Sequence, residues 1–459
     1  MDLVELCHAG AARQSQLVRD RVVSARELVE ATLRQIESLD PRLNAFRTVM
    51  ADQALAQASL IDHDRIHPEG LSLLGVPVAI KDDTDVEGET TAWGTDAHDS
   101  PAARDAEVVA RLRAAGAIII GKTNVPELDA WPWTSSPTWG ITRNPWDTTR
   151  TPGGSSGGSA AAAAAGMCGV ALGSDGGGSV RYPAALTGLF GFKPQRDRIP
   201  LGVQHADGWN GLLAYGSLSR TVADAALFLD ATTGTGSHRL FSDQLDAALP
   251  PLRIAVSFDP PPGSMAHLSA DRRHAIEQTA ELLRGLGHHV VEREVIYTRL
   301  AMRNTTVRYL AGVHHDAGTI AHPERLAGST RRLARIGALI PQAAIARSRR
   351  AEHRLAASIN QIFEHADIVL TAVAGSPAPR IEDTGCSGVI RSLLASNNGA
   401  WTMPWNAIGQ PAASVPAGFD AHGLPLAVQL CGRPDDDTTV LRVARQIEVA
   451  RPWAHLRPH

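Results

Sequence analysis

Cysteine is scarce in this chain, and its scarcity limits the folds and sites that the chain can form. Four cysteines occur among 459 residues, and none belongs to a CxxC pair: Cys7, Cys168, Cys386 and Cys431. Their scatter excludes a disulfide framework and the usual zinc-ligand spacings. Free thiols are typical of a reducing compartment, so we expect a cytoplasmic protein without a metal centre.

Long apolar runs and a strong charge of one sign are also missing. No stretch reaches the roughly 20 apolar residues of a membrane span, and the N-terminal residues MDLVELCHAG lack a signal-peptide pattern. The formal net charge is −4, which gives no electrostatic basis for binding nucleic acid or an anionic membrane. Neither is expected among the partners of this chain.

The chain does have ample apolar material, at 44% hydrophobic residues, for a large core. The run VPVAI at 76–80 predicts a buried strand that ends at Lys81. A helical pattern at 103–115 and a second apolar strand at 117–120 follow. Strand, helix and strand in this order favour parallel pairing in an α/β layer.

Other elements can be predicted along the rest of the chain. A capping box of Ser24 and Glu27 begins a helix that Pro41 closes, and Thr221 caps another helix. The remaining predictions are helices at about 158–167 and 438–449 and strands at 170–172, 366–373, 412–419 and 426–432. Residues 236–365 read as mostly helical, with an arginine-rich, solvated helix face at about 325–355. With no repeat and no clear linker, we expect one domain over 1–459.

Two familiar motifs are rejected on physical grounds. GAIIIGKT at 116–123 matches the P-loop pattern, but its variable positions form a strand rather than a phosphate-binding loop. GGSSG at 153–157 matches the nucleophile elbow of α/β-hydrolases, yet Pro152 prevents a strand from leading into it. Neither nucleotide binding nor an elbow serine is expected.

Two glycine-serine segments carry the chemistry that remains. TPGGSSGGSAAAAAAGM at 151–167 places two serines at the start of an alanine-rich helix, whose first N–H groups are free. LGSDGGGSVRYPA at 172–184 places three glycines before Ser179. Consecutive glycines can aim several backbone N–H groups at one point, as an oxyanion hole requires.

These segments resemble the amidase signature family of serine hydrolases. The family pattern is PGGSSGGS, an alanine-rich helix and a GTDxGGSxRxPA-like segment, and its catalytic lysine lies in an AIKD context, matched by VAIKDDTD at 78–85. The match continues through GKTNVPE at 121–127 and QPAASVPAGFDAHGLPLAVQLCGRP at 410–434 and is weak only at about 236–365. The resemblance implies one large central mixed β-sheet covered by helices on both faces. It divides the domain into a core at about 70–235, a helical variable region at 236–365 and a C-terminal part at 366–455.

The resemblance also implies a role for individual residues. Ser179 is the nucleophile, and Ser155, preceded by a cis peptide bond, bridges it to Lys81. The backbone N–H groups of Gly176, Gly177, Gly178 and Ser179 form the oxyanion hole, and the residues that support the site are Ser156, Asp175 and Arg181. No cofactor or metal is implied.

Lys81 can accept a proton only as a neutral amine, so its site must be desolvated. Because a carboxylate beside the amine would favour the ammonium form, we expect Asp82, Asp83 and Asp85 to point away from it. The chain departs from the family at Asp83, where Asn is frequent, and at Gly176, where a larger residue is usual. The second departure is expected to widen the acyl side of the pocket.

Tryptophans near the glycine-serine segment suggest the substrate. The expected pocket residues are Asp129, Trp131, Trp133, Gly154 and Trp405, which favours an aryl or bulky hydrophobic amide as the small-molecule substrate. Esters and carbamates would pass through the same oxyanion. Two alternatives stay open: the glutaminase component of a tRNA-dependent amidotransferase, and a non-catalytic binding scaffold. A homodimer is also an open option.

Overall fold

A large mixed sheet forms the centre of the computed structural model, which describes residues 2–63, 70–98, 100–202, 207–234, 241–384 and 397–458. Cys386 lies outside these residues. Eleven described strands share the sheet: β1 Phe46–Val49, β2 Pro77–Lys81, β3 Ile118–Thr123, β6 Val170–Asp175, β7 Phe190–Lys193, β8 Ala214–Ser219, β9 Arg253–Val256, β10 His289–Glu292, β11 Ile368–Ala372, β12 Ala412–Phe419 and β13 Pro425–Gly432. Two short strands, β4 Ser135–Ser136 and β5 Gly140–Ile141, pair separately. The prediction of a large mixed sheet is confirmed.

The strand order places the predicted site elements side by side. It is β1-β3-β2-β6-β8-β7-β12-β13-β11-β9-β10, and β2 pairs in parallel with both β3 and β6. The predicted parallel pairing is thus confirmed. Because β2 and β6 run in the same direction, Lys81 at the end of β2 and Asp175 at the end of β6 lie at one edge of the sheet.

Helices cover both faces of the sheet. They are α1 Leu3–Cys7, α2 Gly10–Arg19, α3 Ala25–Leu43, α4 Ala51–His63, α5 Glu107–Ala114, α6 Gly157–Ala164, α7 Arg181–Thr187, α8 Val222–Thr233, α9 Ala270–Gly285, α10 Leu300–Thr319, α11 Gly328–Ala338, α12 Gln342–Asn360, α13 Met403–Ala407 and α14 Asp437–Ala450. Short 3₁₀ turns occur at Glu127–Asp129, Pro323–Arg325, Gln361–Glu364, Ile381–Asp383 and Asn397–Gly399. None of the helices within the described residues is long and apolar enough to cross a membrane.

Successive side chains of β2 point to opposite faces of the sheet and pack into two different hydrophobic clusters. Val78 and Ile80 pack into the cluster beneath α5, α8 and α9, whereas Ala79 joins the cluster that holds α6. Ala79 and Ala171 face the alanines of α6, and small side chains on both surfaces let the helix lie close to the sheet. This close packing brings the N-terminus of α6 next to the end of β2.

The structure corrects several predicted elements. Helix α3 continues past Pro41 to Leu43 and ends at Asn44, whose backbone is left-handed with φ 50°. Proline lacks an N–H but its fixed φ fits a helix, so it is tolerated within the last turn here. Five strands of the large sheet, β1, β7, β8, β9 and β10, were not predicted, and β9 and β10 lie inside the region that reads as mostly helical.

Candidate active site

Lys81 ends strand β2 and is fully buried. Its Nζ lies 2.7 Å from Ser155 Oγ and 2.6 Å from Ser174 Oγ. The structure therefore joins two of the predicted catalytic side chains and adds Ser174, which the sequence did not single out. Ser174 lies on β6, the strand beside β2, so strand pairing is the signal that could have found it.

Two carboxylates also contact the Lys81 amine. Asp83 Oδ2 lies 3.2 Å from Nζ and Asp129 Oδ2 lies 3.1 Å from it. The expectation that Asp83 points away is wrong. The chain turns directly after β2, where the Thr84 N–H donates to the Lys81 carbonyl, and this turn brings Asp83 back towards the amine. Ser174 Oγ donates to Asp83 at 2.5 Å and so links it to the same cluster.

The other two aspartates of the segment do face elsewhere. Asp82 pairs with Arg47 and lies 2.9 Å from Lys122 Nζ, and Asp85 accepts a hydrogen bond from the Thr91 hydroxyl. The expectation is confirmed for Asp82 and Asp85.

Ser155 reaches Lys81 from the segment before α6. The peptide bond between Gly154 and Ser155 is cis, as the family resemblance implies. A Cβ at Gly154 would lie 2.7 Å from the Trp133 nitrogen and 2.8 Å from the Trp131 carbonyl oxygen. Only glycine lets residues 131–133 lie this close to the segment that carries Ser155.

A buried ion pair fixes the loop that carries Ser179. Asp175 and Arg181 are fully buried and lie 2.9 Å apart, and Asp175 also accepts the N–H groups of Gly178 at 2.7 Å and Val180 at 3.2 Å. Burial alone would raise the pKa of Asp175, but the charge and hydrogen bonds of Arg181 outweigh burial and hold this pKa well below its usual range. Asp175 and Arg181 therefore hold the loop, the supporting role that the resemblance implies.

The hydrogen bond from Gly178 to Asp175 removes one of the four predicted donors of the oxyanion hole. The Gly178 N–H is already engaged, so it is not free to stabilise an oxyanion in this structure. Among the described residues, the N–H groups of Gly176, Gly177 and Ser179 have no protein acceptor. These three donors are the ones that remain for a developing negative charge.

Ser179 and Ser155 face one cavity without a direct bond. A cavity of about 1090 Å³ is lined by both serines, by Ser174 and by Asp129. Within the described chain, the Ser179 hydroxyl makes no hydrogen bond, while Ser155 Oγ is held by Lys81. The Ser156 N–H donates to the Ser179 carbonyl at 3.3 Å and ties the two serine segments together.

A second cavity of about 270 Å³ shares Ser179 and has four aromatic residues in its lining. Its lining includes the expected Asp129, Trp131 and Gly154, and also Tyr182, Trp209, Met302, Tyr309 and Met403. The structure places Trp133 and Trp405 outside this lining, which corrects the expectation for both. Trp133 stacks behind Trp131 with ring centroids 5.4 Å apart, and Trp405 is fully buried edge-on to Phe363.

Trp209 occupies the space that Gly176 leaves. A Cβ at Gly176 would lie 2.7 Å from Trp209 Cε3, and one at Gly312 would lie 2.7 Å from its Cδ1. The Trp209 ring also packs edge-on to Tyr309, and its Nε1 donates to Asp316 at 2.8 Å. The expectation that Gly176 widens the pocket is therefore wrong, because the glycine lets an indole ring pack against the loop of Ser179.

Gly176→Ala is expected to reduce kcat/KM about 10-fold or more and to destabilise the fold by about 1–3 kcal/mol, because the added methyl overpacks against Trp209. Gly177→Ala is the matched control, since its Cβ would meet nothing closer than Met403 at 3.9 Å. Amide hydrolysis and thermal unfolding of both variants measure the difference. Equal losses in the two variants would contradict the packing argument.

No group of three or more metal-ligating side chains arranged to hold an ion is found in the part of the chain that the structure describes. The acidic pair at the site, Asp83 and Asp129, is bridged by an amine instead.

Comparison with known proteins agrees with this geometry. A profile of the Amidase family matches residues 27–441. The chain is 47% identical to "Putative amidase AmiB2" of Mycobacterium tuberculosis over 100% of this chain and 99% of that protein. It is 33% identical to the A component of the glutamyl-tRNA(Gln) amidotransferase of Synechococcus, with 96% and 98% of the two chains covered.

A solved structure extends the likeness to three dimensions. The crystal structure of a bacterial aryl acylamidase of the amidase signature family superposes with a TM-score of 0.86 at 26% identity, covering 97% of this chain and 96% of that one. Family profile, near full-length relative and fold lead to the same conclusion. The chain belongs to the amidase signature family of amide-hydrolysing enzymes.

Proposed function

We propose that the chain hydrolyses aryl or bulky hydrophobic carboxylic amides through an acyl-enzyme on Ser179. The observation that carries the proposal is the buried Lys81 amine, which lies 2.7 Å from Ser155 Oγ at the wall of the cavity that Ser179 enters. Ser155 can accept the proton of Ser179 and pass its own to Lys81 after a rotation of either hydroxyl. A serine needs such a base to become a nucleophile.

The cycle has two halves. Ser179 Oγ attacks the amide carbonyl while its proton moves through Ser155 to Lys81. The resulting oxyanion accepts hydrogen bonds from the backbone N–H groups of Gly176, Gly177 and Ser179. The C–N bond then breaks as the proton returns through Ser155 to the departing amine. Water then attacks the acyl carbonyl while its proton moves through Ser155 to Lys81, and the proton returns to Ser179 as the ester bond breaks and the acid is released.

The carboxylates beside Lys81 must be reconciled with a neutral amine. Burial raises the pKa of Asp129 well above its usual range, and the negative charge of Asp83 adds to the rise although Lys81 opposes it. A proton held on Asp129 Oδ2 leaves Asp83 and Asp129 with one negative charge in place of two, which weakens their hold on an ammonium ion, and it leaves Oδ1 as an acceptor. The amine can then accept the Ser155 hydroxyl with its lone pair and donate its two N–H groups to Ser174 and Asp83.

The lining of the smaller cavity supports a substrate with an aromatic or bulky apolar group. Trp131, Trp209 and Tyr309 offer large flat surfaces beside Ser179. The related aryl acylamidase bears a name that points to the same class of substrate. Esters and carbamates with similar groups would react by the same steps.

An anilide is expected to exceed a short aliphatic amide by about 10-fold or more in kcat/KM, after each rate is divided by the alkaline hydrolysis rate of the same amide. This correction removes the intrinsic advantage of aniline as a leaving group. Trp131→Ala should reduce the corrected preference, because it removes aromatic surface from the cavity. Trp146→Ala should leave it unchanged, since Trp146 packs against Phe419 and does not line the cavity. A corrected preference for the aliphatic amide would contradict the assigned substrate class.

The glutaminase component of a tRNA-dependent amidotransferase is the second candidate, because a protein of that kind is a full-length relative. The segment SPTWGIT at 136–142 stands where those proteins usually carry a TEN-type segment, which counts against this role. Release of ammonia from glutamine together with a co-purifying partner protein would favour it. A non-catalytic scaffold would fail to react with a fluorophosphonate. A cytoplasmic location and a homodimer stay predictions.

A further inference from the structure

Asp129 presents an unused hydrogen-bond acceptor beside the proposed proton relay. Its side chain is 6% exposed, and its Oδ2 lies 3.1 Å from Lys81 Nζ. Its other oxygen, Oδ1, is buried and has no hydrogen-bond partner among the described residues. Asp129 lines both cavities that meet at Ser179. A buried acceptor without a donor costs stability unless a ligand supplies the donor.

The backbone holds Asp129 in this position. Leu128 and Asp129 both adopt the left-handed region, with φ of 54° and 56°, a conformation that is uncommon for residues other than glycine. Glu127 accepts the N–H of Ala327 just before helix α11, and Tyr309 donates to the Ala130 carbonyl at 2.5 Å. The segment is therefore anchored on both sides of Asp129 and cannot easily turn the carboxyl away from the cavity.

Three hydroxyl groups of the smaller cavity already have hydrogen-bond acceptors. The hydroxyls of Thr305, Tyr309 and Thr402 donate to the backbone carbonyls of Ala301, Ala130 and Gly177, respectively. Asp129 Oδ1 thus stands out among these side chains as an acceptor that awaits a donor. A molecule bound in the cavity can supply that donor.

The position of Asp129 beside the proton relay indicates which donor would reach it. The departing nitrogen of the substrate must approach Ser155 to receive its proton, and Ser155 and Asp129 both contact the Lys81 amine. A nitrogen held there by Ser155 would lie near Asp129 Oδ1. We propose that Asp129 Oδ1 accepts the N–H of the scissile amide, so that the enzyme selects primary and secondary amides over tertiary ones. This inference rests on the proposed function, in which Ser179 and Lys81 perform the hydrolysis.

A role of Asp129 only as a partner of Lys81 would change the kinetics of the two kinds of amide in a different way. If Asp129 acted only as a partner of Lys81, its loss would slow the relay for secondary and tertiary amides alike, since both leaving amines need the proton. Only the contact with a substrate N–H changes the ratio between the two substrates. The ratio is therefore the informative quantity, and the absolute rate is not.

The test compares an N-benzyl amide with the N-benzyl-N-methyl amide of the same acid. The wild-type protein is expected to favour the secondary amide by about 10- to 100-fold in kcat/KM, as expected for loss of a hydrogen bond to a buried acidic group. Asp129→Ala should bring this ratio to within about 3-fold, because it removes the acceptor. Asp129→Asn should retain most of the preference, since its amide oxygen can take the place of Oδ1.

The possible outcomes distinguish failure of this inference from failure of the proposed function. An unchanged ratio in Asp129→Ala would show that the added methyl is rejected by shape, and equal rates for the two amides in the wild type would also overturn the inference. If Asp129→Ala does not fold, the wild-type ratio and Asp129→Asn still decide. Hydrolysis that survives Ser179→Ala, or no hydrolysis of either amide, would refute the proposed function itself.

Discussion

Ser179→Ala is expected to lower kcat by about 10⁴- to 10⁶-fold while the thermal unfolding midpoint changes little. The side chain is half-buried at the cavity and makes no hydrogen bond within the described chain, so the fold does not depend on its hydroxyl. The chemistry depends on it because Ser179 forms the acyl bond. Steady-state hydrolysis of a hydrophobic anilide measures the loss.

Two further serine variants make this result specific. Ser155→Ala should cost about 10²- to 10⁴-fold, since it interrupts proton transfer but leaves the nucleophile. Ser217→Ala is the control, because Ser217 lies on β8 with a buried hydroxyl that lacks a partner among the described residues. Activity of Ser179→Ala near that of Ser217→Ala would refute the assignment of the nucleophile.

Lys81→Met is expected to lower kcat by about 10²- to 10⁴-fold. Unlike Ser179→Ala, it should also reduce the free energy of unfolding by about 1–3 kcal/mol. The amine contacts Asp83 and Asp129, and without it these buried carboxyl groups lose a hydrogen-bond donor. Chemical denaturation and steady-state kinetics measure the two effects separately.

Lys122→Met provides a control with nearly the same environment. Lys122 lies on the adjacent strand β3, is also fully buried, and pairs with Asp82 at 2.9 Å and with Thr91 at 2.8 Å. It should lose at least as much stability but keep kcat within about 10-fold, as it takes no part in proton transfer. If both variants lost activity equally, the effect of Lys81 would be structural.

The parts of the fold that follow apolar patterns could be predicted from sequence. β2 and β3 overlap the apolar runs VPVAI and AIII, and their parallel pairing followed from the helix between them. The short strands β9 and β10 were missed because their four residues sit between long helices, and β10 has only one buried position. Tertiary pairing at the edge of the sheet decides such segments, and local periodicity cannot reveal it.

The site divides in the same way. Lys81, Ser155 and Ser179 carry recognisable motifs, whereas Ser174 and Trp209 become visible only when strands and loops are brought together. Asp83 was misjudged because the turn after β2 decides its direction. Trp405 was misjudged because tryptophan favours a core as readily as a pocket.

Identification of the trapped adduct tests the central claim most directly. After incubation with a fluorophosphonate, the protein should carry one covalent adduct, and peptide mass spectrometry should place it on Ser179. Labelling should be slowed in Lys81→Met and unchanged in Lys122→Met. An adduct on Ser155, or continued amide hydrolysis by protein whose Ser179 is fully labelled, would contradict a nucleophilic Ser179 activated through Ser155 and Lys81.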